Sequence, residues 1–123
     1  MQRTEAFIDG TSVIFSNKNA IDFKAKILKI LRANEILIVL PHEVISATNL
    51  SNNNVYAFSL QGDFLWRLET KETEFAKYTV LKWSVFIDAF LHSDGNLILL
   101  NWCDFAFRVD INTGRILESF QTR

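Results

Sequence analysis

The chain carries only four glycines, and each sits beside a polar turn former between short apolar runs. The clusters are Asp9-Gly10, Gln61-Gly62-Asp63, Asp94-Gly95-Asn96 and Asn112-Thr113-Gly114. Glycine supplies a positive φ at the tip of a tight hairpin without steric cost, so this spacing marks hairpin turns. The runs between them alternate or are continuously apolar, which is the signal of strands.

The pattern predicts strands over residues 5–8 and 12–15, 26–32 and 35–40, and 55–60 and 64–69. It continues with 80–90 and 96–102, then 105–109 and 115–120. Residues 41–53 and 71–77 are polar or charged and read as loops. A helical turn over 24–29 and a short helix over 42–48 compete locally. Eleven Phe, three Trp and two Tyr reinforce the strand reading, because aromatics suit a pleated, half-buried surface. The expected fold is all-β: an antiparallel meander of about ten short strands, a sandwich or partly open barrel, with at most one or two short helices. At 123 residues it is expected to form a single domain, 1–123.

Parity within the strands assigns their faces. In 64–69, Phe64, Trp66 and Leu68 share one face and Leu65, Arg67 and Glu69 the other, which places Trp66 inside. In 105–109 the apolar face is Phe105, Phe107 and Val109. The strand over 80–90 has a continuous apolar face of Trp83, Val85, Ile87, Ala89 and Leu91. Its opposite face carries Phe86 and Phe90 among Lys82, Ser84 and Asp88. Two readings of those phenylalanines follow: a neighbouring segment covers them, or they face a partner protein, since aromatics beside a charge are typical of interface cores.

The chain offers little catalytic chemistry. A net charge of −1 argues against a nucleic-acid partner, which calls for clustered cations. The single cysteine, Cys103, cannot form an internal disulfide, and the two histidines, His42 and His92, build no metal-ligand pattern. His92-Ser93-Asp94-Gly95 holds triad residue types, but in a hairpin turn that cannot aim all three at one another. No glycine-rich phosphate loop occurs. Glu69, Glu72 and Glu74 cluster around a charged connection, which suits a solvated loop or the acidic rim of a protein-binding surface. The expectation is a protein without enzymatic activity, cofactor or metal. No run reaches the length of a membrane span and residues 1–7 lack the apolar core of a signal peptide, so a cytoplasmic location is expected.

Two segments resemble known units. Residues 54–67, ending Gln61-Gly62-Asp63-Phe64-Leu65-Trp66-Arg67, resemble the strand–turn–strand unit of quinoprotein-type propeller blades. Residues 109–117, with Asp110, Thr113, Gly114 and Leu117, resemble its D-x-x-T-G-x-x-L version without the closing Trp. Two such hairpins are too few for a propeller, and no quinone is implied. The order of elements over residues 12–120 is similar to that of small bacterial all-β proteins, some of which resemble immunity proteins of toxin/immunity or contact-dependent inhibition systems. That resemblance implies binding and occlusion of a cognate toxin domain, such as a nuclease, by a monomer or weak dimer. It points to Glu69, Glu72, Glu74, Asp88 and Asp104 as the acidic contacts, with Phe86 and Trp102 as anchors. The alternative is a non-catalytic ligand-binding or accessory β-module.

Overall fold

The computed structural model of the chain describes residues 6–42, 54–68, 86–101 and 105–121. Every regular element among them is a strand. These are β1 (Phe7–Asp9), β2 (Ser12–Ile14), β3 (Ala20–Asp22), β4 (Ile27–Ala33), β5 (Ile36–Pro41) and β6 (Tyr56–Ser59). They continue with β7 (Phe64–Arg67), β8 (Phe86–Leu91), β9 (Leu97–Asn101), β10 (Phe105–Val109) and β11 (Ile116–Gln121). All pairings are antiparallel.

The all-β antiparallel meander expected from the turns is the fold observed. Among the described residues the strands divide into three sheets in chain order, β1-β2-β3, β4-β5-β6-β7 and β8-β9-β10-β11, and no barrel closes. The glycine turns bend as expected, with positive φ at Gly10, Gly62, Gly95 and Gly114. The helical turn considered over 24–29 does not form. Lys24 adopts a left-handed φ of 57°, its amide donates to Asp22 Oδ1 at 2.8 Å, and β4 begins at Ile27. The proposed helix over 42–48 lies outside the described residues beyond His42, as does the first half of the strand placed at 80–90.

The central strands of the middle sheet, β5 and β6, are buried on both sides. Along β5, Leu37 and Val39 point to the first sheet, where they pack with Val13, Phe15, Ile27 and Phe58. Ile38 and Leu40 point the other way and pack with Ala57, Trp66, Leu97 and Leu99, among others, between the second and third sheets. This is why the run from Ile36 to Leu40 is continuously apolar where a one-sided strand would alternate. The first strands lie together: β1 approaches β4, and β4 and β5 approach β8.

Both sheet-to-sheet junctions are built alike. From the first sheet, the Phe15 ring covers Gly62 in the β6–β7 turn, so that a Cβ there would sit 3.1 Å from Phe15 Cδ1. Ser16 Oγ donates to the Leu60 carbonyl at 3.1 Å, and Asn19 Nδ2 to the Gln61 carbonyl at 3.2 Å. From the second sheet, the Trp66 indole covers Gly114 in the β10–β11 turn, and its Nε1 donates to the Ile111 carbonyl at 3.0 Å. Trp66 is 7% exposed, as its face assignment predicted.

Candidate protein-binding surface

β8 is the edge strand of the third sheet, and its side chains do not follow simple alternation. Phe86 pairs with Asn101 and Asp88 with Leu100, so two residues of β8 face one of β9. This bulge at Ile87 reverses the parity on either side of it. Phe86 therefore points inward, 1% exposed, and meets Phe107 edge-on with ring centroids 5.4 Å apart. The expectation that Phe86 anchors a partner is thus corrected: it is a core residue. Ile87, assigned to the buried face, is instead 49% exposed. Phe90 is 43% exposed, and Leu91 is exposed beside it.

Asn54 fixes the start of the strand. Its Nδ2 donates to the carbonyls of Pro41 at 3.0 Å and Phe86 at 3.1 Å, and its Oδ1 accepts from the Phe86 amide at 3.1 Å. The side chain is fully buried and joins the end of β5 to β8. Its polarity gave the sequence reading no reason to set it apart from the loop residues Asn52 and Asn53.

Asp88 lies at the junction of two sheets, not alone on an acidic face. Lys29 of β4 donates to Asp88 Oδ1 at 3.0 Å and to the Ala89 carbonyl at 2.6 Å. The Ala89 amide donates to the same Oδ1 at 2.8 Å. Partial burial pushes the Asp88 carboxyl up, but the Lys29 ammonium and the Ala89 amide outweigh it and hold the group below the ordinary carboxylate value. Leu28, next to Lys29, is exposed. Ile87, Phe90, Leu91 and Leu28 are exposed apolar side chains on the two strands that the Lys29–Asp88 pair joins.

Every large hydrophobic that is exposed among the described residues sits on a sheet-edge strand. More than half of them lie on the first strands β1, β4 and β8, which come together in space. A concentration of this kind differs from the scattered apolar side chains of an ordinary surface.

Of the residues that the sequence nominated for partner contact, Phe86 and Asp88 are described. Glu69, Glu72, Glu74, Trp102 and Asp104 lie outside the described residues. The His92–Gly95 segment forms the β8–β9 hairpin: the Asn96 amide donates to Asp94 Oδ1 at 2.9 Å and the Gly95 amide to the His92 carbonyl at 2.9 Å. Arg108 Nε donates to Glu118 Oε2 at 2.7 Å, and its Nη1 lies 3.4 Å from Asp94 Oδ2. Among the described residues, no three His, Cys, Asp or Glu side chains come together to hold a metal ion, and no helix is long and apolar enough to cross a membrane.

The crystal structure of BamB from Moraxella catarrhalis, a β-propeller-like protein, is similar in fold, with a TM-score of 0.57 at 13% identity. The match covers 89% of this chain, which spans 28% of the length of that one. The likeness extends the blade-like character of the two hairpins to the arrangement of the sheets. No curated protein matches the sequence. A family model described as a domain of unknown function, DUF7957, matches residues 4–120, and the chain belongs to that family.

Proposed function

We propose that this domain acts by binding another protein, and that the bound protein is the toxin domain of a bacterial toxin–immunity pair. The domain would act in the cytoplasm, without chemistry of its own, by covering the toxin's active site. The observation that carries the binding reading is the β8 edge, where Ile87, Phe90 and Leu91 stay exposed beside the Lys29–Asp88 pair. Interface cores are apolar and aromatic, with charges at the rim, and a few desolvated anchors supply most of the affinity.

In this reading Phe90 takes the anchor role, with Ile87 beside it. Lys29 already satisfies Asp88, so the carboxylate contributes to register more than to attraction of a basic toxin. Glu69, Glu72, Glu74 and Asp104 remain the proposed acidic rim and Trp102 a proposed second anchor, on the resemblance alone. The choice of a toxin as partner also rests on that resemblance. Co-expression with the variable C-terminal domain of a secreted protein encoded by the adjacent gene tests it. Growth is expected to be restored by this chain and not by one carrying Ile87→Ser and Phe90→Ser. Failure of the unaltered chain to restore growth contradicts the toxin reading.

The second reading is a non-catalytic ligand-binding or accessory β-module with a different partner. Adjacent genes that encode no secreted toxin, with no growth rescue, select it.

A further inference from the structure

Each internal junction joins an aromatic side chain of one sheet to the turn glycine of the next: Phe15 to Gly62, then Trp66 to Gly114. Among the described residues, the first and third sheets each carry one half of such a junction without its counterpart. In the first sheet, the β1–β2 turn carries Gly10 at φ +66°, and among the described residues nothing lies within 4 Å of a Cβ built there. In the third sheet, Phe120 of β11 is 47% exposed.

Phe120 occupies the position that Trp66 holds one sheet earlier. Trp66 pairs across the strands with Ala57, and Phe120 pairs with Ala106. Ala57 and Trp66 point forward, toward the third sheet. Ala106 precedes Phe107, which points back toward the second sheet, so Ala106 and Phe120 point forward as well. On the first sheet, Phe7 of β1 is 55% exposed. It pairs with Ile14, the neighbour of the inward-pointing Val13, and so faces away from the second sheet.

We propose that copies of this chain associate head to tail, the free face of the third sheet in one copy docking on the free face of the first sheet in the next. Phe120 then covers the Gly10 turn as Trp66 covers Gly114, and Phe7 is buried at the seam. The occupant is a second copy because the two ends are complementary halves of a junction that the chain already forms twice. The contact is heterologous, since different patches meet. By register Phe90 shares the forward face with Ala106 and Phe120, so this association competes with toxin binding at β8, but its test reads Phe7 and Phe120 alone.

The test is sedimentation velocity on the full chain, on Phe7→Asp, on Phe120→Asp and on an equimolar mixture of the two variants. The unaltered chain is expected at two or more times the mass of one chain, and each variant alone at the mass of one chain. The mixture is expected to return to twice that mass, because one intact seam survives between a Phe120→Asp copy and a Phe7→Asp copy. A monomeric unaltered chain, variants that still associate, or a mixture that stays monomeric would each overturn the proposal. Phe7→Ser and Phe120→Ser, with circular dichroism matching the unaltered chain, serve if either Asp variant does not fold.

Discussion

The six-membered ring of Trp66 covers Gly114 so closely that a Cβ on the glycine would lie 2.5 Å from Cε3 and 2.7 Å from Cδ2. The two residues belong to different sheets, and the indole Nε1 adds a hydrogen bond to the Ile111 carbonyl in the same turn. Gly114 also holds a φ of 79°, which disfavours any side chain. Gly114→Ala is expected to cost about 1–3 kcal/mol from overpacking, with left-handed strain adding to it. Trp66→Ala is expected to cost about 3–5 kcal/mol. Urea unfolding of both variants checks this, and wild-type stability in Gly114→Ala would contradict the tight junction.

Phe86 provides a second test in the core. Truncation to Ala removes its contact with Phe107 and opens a cavity between the second and third sheets, at about 3–5 kcal/mol. Phe90→Ala, on the same strand, is expected to change stability by less than about 0.5 kcal/mol, as exposed sites do. Equal losses at the two positions would contradict the bulge at Ile87.

The hairpins were legible in the sequence because each glycine turn encodes its own bend. The bulge was not, because nothing in Phe86-Ile87-Asp88 marks the extra residue, and one inserted position reverses the face of all that precedes it. The short strand β3 was missed for a related reason. The bend before it uses Lys18 at φ 73° in place of glycine, and three residues are too few to show alternation. The division into three sheets was also hidden. Antiparallel meanders look the same along the chain whether one strand pairs with the next, as β5 does with β6, or the chain passes to a new sheet, as between β3 and β4. Of the candidate site, face parity singled out Asp88 and left Phe90 open between a covered and a partner-facing position, which its exposure decides. The Lys29 partner, 59 residues away in sequence, was not singled out, because only the folded sheets bring the two together.

Asn54 tests the polar link between β5 and β8. Asn54→Ala strands the buried amide of Phe86 and removes two donated bonds to carbonyls. Leaving one buried group unsatisfied costs about 1–3 kcal/mol. Hydrogen exchange is expected to show early opening of β8 while the β1–β3 sheet keeps its protection. Unchanged protection of β8 would contradict the role.

Acid tests the Lys29–Asp88 pair. The Asp88 carboxyl is lowered in the folded chain from a reference of 3.8, so its contribution is fully present above that value. It is lost as the pH falls through the lowered folded value. Asp88→Asn is expected to flatten the fall in stability over that acid range and to leave its shape near neutral pH unchanged. A difference in shape confined to neutral pH would contradict the assignment.

Binding through the β8 edge is the proposal on which the rest depends, and calorimetric titration of the full chain with the variable C-terminal domain of a secreted protein, where the adjacent gene encodes one, tests it most directly. The expected result is tight one-to-one binding that Ile87→Ser and Phe90→Ser together weaken at least tenfold, while Asp88→Asn weakens it far less. Absence of binding, or binding indifferent to the paired Ile87 and Phe90 substitutions, would contradict it.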